Sequence, residues 1–557
     1  MKPNTFFRRL GLSAAVVAAT LAAASSGHAV EAKKPAPKLV VAIVIDQFSA
    51  NLFNQQRAKF TSGLKSLESG LVYANGYQSH AATETCPGHS TVLTGKRPAN
   101  TGIPANDWID RATGEEVYCL AVPENTLADG GPGENGRVGS SAMRVSNLAD
   151  WLKTSSPGSR SFAVSGKDRG AINLAGQKGD GAFWYLDGFG WTTFVEPGQD
   201  AAKRLAPVAA LNASLKASHA KAKPSWSYTS QACRALEADW PIAGKPWRAM
   251  VPPANYAFDA SPMLDEVTVD AAIMLLDTQK LGQGAATDLL GVSLSATDRI
   301  GHRYGTQGPE MCEQMRRVDL ALGRLLTRLS KVPGGVIVAV TADHGGSDFP
   351  ERSHARGQDT AGRGGPEAFI RVNEQLKTAF KLDFNPLMEG GSGLMVVNAE
   401  KRGMAEPLRS QVAEAAVEAL RKEPIVADAY TLTEVLASPP PAKGTSPQEY
   451  TLLQRYRLSA VEGRSPDILV GLQPGITPGR VRFGGSLSGH GSPWEYDRRV
   501  PILFWWPGVE GQERFYPIET ADIGPTLANV VGATPPADID GRGIDLGGFE
   551  AAACAKR

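Results

Sequence analysis

The chain reads as an α/β fold built on a central, mostly parallel sheet flanked by helices, and three observations predict it. Apolar, β-branched runs stop abruptly at loops that carry acids and imidazoles. VVAIVID closes on Asp46, LLGVSLSATDRIGH carries Asp298 and His302, and VIVAVTADHGG carries Asp343 and His344. Runs of this length and composition read as buried strands. Met311, Met315, Val318, Leu322, Leu325 and Leu329 recur at helical spacing, as the core face of a helix lying on the sheet. Sixty glycines and thirty-eight prolines in 557 residues supply the turns of an α/β chain with long insertions.

The first 29 residues read as a secretory signal peptide. Lys2, Arg8 and Arg9 precede the apolar run LGLSAAVVAATLAAA, and Gly27-His28-Ala29 offers the small residues of a cut after Ala29. The Arg8-Arg9 pair also hints at twin-arginine export. The mature protein is therefore expected in the periplasm or outside the cell. No later run is long and apolar enough to span a bilayer, so no membrane contact is expected once the signal is removed. A net charge of +1 gives no global attraction to a nucleic-acid duplex or an acidic membrane surface. The expected partners are small molecules, and the expected state is a monomer. Five cysteines in an oxidising compartment allow at most two disulfides, whose pairing spacing does not reveal. Cys86 has no close activating neighbour in sequence and reads as structural.

A Lys/Pro-rich linker (30–38) leads to the strand Leu39–Ile45, which opens the first part of the core (39–351). A helix is expected over Gln56–Ser69, and turn signals at Pro87-Gly88 and Gly102-Ile103-Pro104 put Thr85 and Asn106 at loop or helix starts. A helix over Val145–Lys153 and a strand over Ser161–Ser165 follow. Residues from about 175 to 260, rich in Trp and Pro, read as hairpins and an irregular insertion outside the βαβ pattern. That pattern resumes with a helix near Leu264–Gln279. The stretch 352–450 reads as a small α+β cap, from a strand Gly393–Val397, an amphipathic helix Pro407–Lys422 and a strand Ile425–Tyr430. The core is expected to return over 451–557 with strands at Asp467–Val470 and Val500–Trp505. A final helix starts near Asp522, whose carboxylate is placed to cap it.

In open α/β sheets, ligands bind outside the carboxyl ends of strands. The strand-end acids and imidazoles therefore point to one crevice, and carboxylate plus imidazole without thiolate is the donor set of a catalytic metal centre, most often zinc. Asp298 and His302 are four apart, one face of a helical turn. Asp343 and His344 are adjacent, and serve one metal only where the backbone leaves a strand, as Gly345-Gly346 permits. His490, in Ser488-Gly489-His490-Gly491-Ser492, sits in an uncovered loop. With Asp46, these residues supply about three ligands for each of two open sites. Thr85 is a weak nucleophile unless a base or a metal activates it; His89 is the competing activator, and a structural role is expected for it. Gly88-His89-Ser90-Thr91 approaches a G-x-S-x-G elbow, but Val92 stands where the second glycine is needed. Lys167 and Arg169, two apart after a strand, would point the same way if extended and suit a dianion. Asn106 would add an amide hydrogen bond to the same oxygens.

These motifs resemble the alkaline phosphatase superfamily, in particular its zinc-dependent, threonine-using alkaline phosphatases of the nucleotide pyrophosphatase/phosphodiesterase-like branch. The resemblance rests on VIDQ at Asp46, TCPGH from Thr85 to His89, ANDW around Asn106, GKDRGA around Lys167 and Arg169, SATDRIGHRYG, TADHGG, GHGSP and the ending TADIGPTLANVVG. It implies one zinc among Asp46, Thr85, Asp343 and His344, and a second among Asp298, His302 and His490. It also implies a phosphothreonine intermediate on Thr85, with Asn106, Lys167 and Arg169 holding the phosphoryl oxygens. The paired cations argue for phosphate monoesters, with secondary phosphodiesterase activity. A sulfatase would need a cysteine in a C-x-P-x-R context, where Thr85 and His89 stand instead. A phosphate- or metal-binding protein without catalysis would not need Thr85.

Overall fold

A computed structural model describes residues 33–221, 225–251, 258–391, 393–397, 404–481 and 485–549. The proposed signal peptide and Cys554 lie outside them. The architecture is the expected one: a ten-stranded, mostly parallel sheet with helices on both faces. At its centre run the parallel strands Val336–Thr341, Leu39–Ile45, Asp288–Leu294, Ser161–Ser165 and Gly181–Leu186, in that spatial order. Alternation along Leu39–Ile45 shows why the sheet needs two covers. Leu39, Val41, Ile43 and Ile45 face one apolar core, and Val40, Ala42 and Val44 face the other. Helices Pro262–Thr278 and Pro309–Leu329 fill the first side, with all six predicted core residues of the latter buried.

Register sets the level of the crevice. Ile45 pairs with Leu294, Val44 with both Ser293 and Thr341, and Ser165 with Ser293, so four strands end together. The strand Arg499–Trp505 enters antiparallel between Val336–Thr341 and Leu71–Tyr77. Its beginning therefore lies at the same edge as the ends of its neighbours.

Several expectations are corrected. The helix expected over Gln56–Ser69 is broken into Ala50–Gln56, a short turn Arg57–Lys59 and Gly63–Leu67. The buried Asp319 carboxylate accepts the N–H groups of Thr61, Ser62 and Leu64 at 2.8, 2.9 and 2.7 Å, which holds the chain out of helical register. The βαβ pattern also runs past residue 175. Helix Asp168–Ala175 crosses over to Gly181–Leu186, which joins the main sheet and turns back through Gly190–Thr192. The strand assigned to the main sheet near Asp467 instead spans Ile468–Leu472 and belongs to a small sheet. It pairs there with Gly393–Val396 and Val426–Thr431, and Leu387–Gly390 forms the outer edge. Ile468 faces the core under helix Leu408–Leu420 and Leu469 faces a second cluster around Tyr456, so both faces are already covered there. Asp522 does not cap helix Ile523–Val531; its oxygens accept from Glu519 N at 3.0 Å and Arg542 N at 2.6 Å.

Candidate active site

The strand ends bring the predicted residues to one place. Asp46 follows Leu39–Ile45 directly, and Asp343 and His344 follow Val336–Thr341 by one loop residue. Asp298 and His302 stand one turn apart on helix Ala296–Tyr304, with Asp298 Oδ1 3.2 Å from His302 Nε2. His490 arrives on the loop before the antiparallel strand, its Nε2 3.4 Å from Asp298 Oδ1. Its ring stacks on that of His344 at 3.7 Å. Two candidate metal-holding clusters emerge, Asp46–Asp343–His344 and Asp298–His344–His490, each with ligand atoms within 4.8 Å of one another. His344 belongs to both, and His302 adjoins the second.

Three features of these clusters fit a metal. The Nδ1 atoms of His302, His344 and His490 lie 2.9, 2.8 and 2.8 Å from the carbonyls of Ser488, Gly345 and Thr83. A carbonyl accepts only, so each Nδ1 carries a proton, and in the neutral ring Nε2 is then free to ligate, the outer hydrogen bond typical of ligating histidines. Asp46 Oδ1 and His344 Nε2 are buried 3.4 Å apart with no hydrogen bond to either. An unpaired buried carboxylate oxygen beside an unpaired imidazole nitrogen is costly without a cation. The donors are oxygens and nitrogens throughout, since Cys86 is bonded to Cys119 and Cys233 to Cys312. Cys86 is thus structural.

Thr85 is the first residue of the wholly buried helix Thr85–Thr94. Gly88 brings that helix against the strand end, since a methyl group there would lie 2.0 Å from the Asp343 carbonyl oxygen. His89 is fully buried, with Nδ1 2.9 Å from Thr85 O and Nε2 2.9 Å from Ser293 Oγ. The same Nδ1 lies 3.0 Å from Asp343 Oδ2, so His89 braces the helix against the strand end, the structural role expected of it. Lys167 is buried, and its ammonium donates to Asp46 Oδ2 at 2.6 Å, Asp298 Oδ2 at 2.7 Å and Thr85 Oγ1 at 3.4 Å. It precedes helix Asp168–Ala175 in extended conformation, but Arg169 lies inside the helix, so the two do not project as a strand pair. Arg169 Nη1 instead donates to Tyr118 Oη at 3.3 Å, and Tyr118 donates to Asp168 Oδ1 at 2.7 Å. Asn106 Oδ1 accepts from Cys86 N at 2.8 Å, and its own N–H donates to Glu84 Oε2 at 2.7 Å, which fixes it beside the helix start.

The charges are strongly coupled. Burial, then the neighbouring Asp343 carboxylate, pushes Asp46 up to about 6. Burial also works to raise Asp298, but Lys167 and then His302 outweigh it and hold this carboxyl well below its usual range. Burial depresses His490 well below an ordinary imidazole, and the neighbouring His344 adds to it. Sequence reasoning missed Gln47, which donates to Asp298 Oδ1 through Nε2 at 2.9 Å and to Asp343 Oδ1 through its backbone N–H at 3.2 Å. It also missed Tyr118 and Ser293. An amide, a phenol and a hydroxyl carry no signal until the fold shows what they face.

Residues 40–480 match the family model described as type I phosphodiesterase / nucleotide pyrophosphatase. The chain belongs to that family. It falls in the alkaline phosphatase superfamily, in the branch containing the nucleotide pyrophosphatases. It is 37% identical over 530 residues to alkaline phosphatase PhoD of Zymomonas mobilis, covering 93% of this chain and 89% of that one. It is 36% identical over 541 residues to alkaline phosphatase PhoK of a Sphingomonas species, covering 93% of both. The crystal structure of wild-type alkaline phosphatase PafA superposes with a TM-score of 0.76 at 23% identity, over 92% of this chain and 99% of that one, which shows the shared fold. As a member of this family, the chain is a hydrolase of the phosphatase/phosphodiesterase type.

Proposed function

We propose that the protein is an exported alkaline phosphatase that hydrolyses phosphate monoesters through a phosphothreonine at Thr85. The observation that carries this reading is the convergence of Thr85 Oγ, both acid–imidazole clusters and the buried Lys167 ammonium on one point. Similarity to PhoD and PhoK, both named alkaline phosphatases, supports it. Two zinc ions would be held by Asp46, Asp343, His344 and Thr85, and by Asp298, His302 and His490. When bound, they supply Lewis-acid stabilisation of the attacking and leaving oxygens.

The chain's own residues do the rest. Thr85 Oγ attacks phosphorus as its proton passes to solvent, the bond to the leaving oxygen breaks and that alkoxide takes a proton from water, and a second water then cleaves the phosphothreonine to release inorganic phosphate. Thr85 stands at the start of helix Thr85–Thr94, whose dipole favours negative charge there. Lys167, the Arg169 guanidinium and the Asn106 side-chain NH2 would meet the equatorial oxygens of a loose transition state. Tyr118 and Asp168 orient Arg169, and His89 keeps the helix seated on Ser293.

Secondary phosphodiesterase activity shares the same nucleophile. Diester hydrolysis as the main activity is the competing reading, because the matching family model is described by it. Catalytic efficiency on a matched phosphate monoester and diester decides between them. Thr85→Ala should lower monoester turnover by about 10⁴-fold or more, and wild type quenched in acid should yield phosphorylated Thr85. Intact hydrolysis in the variant would end the covalent reading. Exhaustive chelation should abolish activity, and zinc should restore it.

A further inference from the structure

We infer that Gln47 is a positioning residue that ties the two acid clusters together, its backbone serving one and its side chain the other. The inference rests on the two-zinc reading above. Gln47 directly follows Asp46 and is buried, with a backbone φ of +63°. A residue with a side chain rarely adopts that left-handed conformation, and glycine is the usual occupant. The strained backbone turns the Gln47 N–H onto Asp343 Oδ1 at 3.2 Å. The same turn sends the side chain the other way, where Nε2 donates to Asp298 Oδ1 at 2.9 Å. One residue thus holds a carboxylate of each cluster and is bonded to a third, Asp46.

The surroundings are cut to admit this side chain. A methyl group at Gly301 would lie 1.7 Å from Gln47 Oε1, and one at Gly346 would lie 2.7 Å from its Cγ and Cδ. Both glycines flank proposed ligands, Gly301 preceding His302 and Gly346 following His344 by two. The slot is therefore lined by the segments whose geometry it would fix. Asp298 Oδ1 is the atom that also faces His302 Nε2 and His490 Nε2, at 3.2 and 3.4 Å. An N–H on that oxygen holds the carboxylate in place, with its other lone pair left for the point that it shares with the two imidazoles, as outer hydrogen bonds do for ligating carboxylates.

Backbone and side chain serve different clusters, so they can be separated. Gln47→Gly keeps the N–H to Asp343 and removes only the amide to Asp298. Gln47→Met fills the slot without a donor. Metal-stripped full-length protein is titrated with Zn²⁺ by calorimetry, and His302→Ala identifies which binding step belongs to the Asp298 cluster. Both Gln47 variants should weaken that step by about 10–100-fold and leave the other unchanged. Glycine suits the positive φ, so the backbone N–H to Asp343 is kept in the Gln47→Gly variant. Equal weakening of both steps would make Gln47 merely structural and overturn the inference. Wild-type affinity at both steps in the variants would overturn it as well, with the two-zinc reading intact. A wild-type chain that takes up no Zn²⁺ at the Asp298 cluster would instead overturn the two-zinc reading, and this inference with it.

Discussion

Lys167 Nζ and Asp46 Oδ2 meet at 2.6 Å, a buried ion pair between residues 121 positions apart in sequence. Burial opposes the charge on Lys167, but Asp298 and Asp46 outweigh it and raise its affinity for a proton. The two carboxylates thus favour the charged ammonium, which lies 3.4 Å from Thr85 Oγ. Removing one member of such a pair typically costs about 3–5 kcal/mol, because its partner stays buried and unpaired. A Lys167→Ala, Arg169→Ala double variant should lose kcat/KM on a phosphate monoester by about 100-fold or more. The loss on a matched diester should be far smaller. Equal losses would refute the argument that the two cations set a preference for the dianion.

Gly88 should resist substitution although it lies in a helix. Alanine is intrinsically the better helix former by about 1 kcal/mol. Its methyl would nevertheless lie 2.0 Å from the Asp343 carbonyl oxygen and 2.8 Å from Asp343 Cβ. Gly88→Ala should destabilise the fold by about 1–3 kcal/mol and reduce turnover by moving Thr85 off the Asp343 strand end. Denaturant melts and initial rates check this; a variant as stable and active as wild type would show that the contact yields freely.

The Cys86–Cys119 disulfide joins the residue after Thr85 to the residue after Tyr118. Tyr118 in turn orients Arg169. Replacing both cysteines by serine should cost about 2–4 kcal/mol of stability and raise KM for the monoester more than it lowers kcat. An unchanged melting temperature and KM would leave the bridge without a role in holding the arginine.

Asp265, which accepts the N–H at the start of the helix carrying Asp298, should make stability depend on pH. Burial raises it to about 7 although Ala296 N and Gln314 Nε2 donate to it, at 2.9 and 2.6 Å. Its folded value thus lies above its ordinary value of 3.8. The folded state holds the proton more tightly, so this group's contribution falls as pH rises from about 4 through 7. Asp265→Asn should flatten that decline in urea midpoints measured across the range. Gln314 can turn its unpaired Oε1 toward the new amide. A variant with the wild-type pH slope would place the dependence elsewhere.

Much of this was legible because apolar runs and strand-end acids are local signals. Leu39–Ile45 and Ser161–Ser165 have the predicted bounds, and Asp46, Asp298, His302, Asp343, His344 and His490 converge as the strand-end rule requires. What was not legible depends on distant partners. Nothing in Arg57–Ser69 announces that Asp319 will capture three of its N–H groups. Nothing in Ile468–Leu472 reveals that helix Leu408–Leu420 already covers one of its faces. Arg169 looked like the mate of Lys167 because the spacing was read as extended, whereas the helix starts between them. Gln47 was visible as a letter beside Asp46, but its left-handed backbone follows from the strand ends that meet around it.

The antiparallel strand Arg499–Trp505 has a consequence for how the protein is made. It is slotted between Leu71–Tyr77 and Val336–Thr341, two strands synthesised far earlier. Until it emerges, the nascent sheet is split and Val336–Thr341 has an open edge, a template for wrong pairing. The same late segment delivers His490. A chain caught before this point therefore has neither a joined sheet nor a full set of donors, so maturation of the site cannot run ahead of the synthesis of this segment.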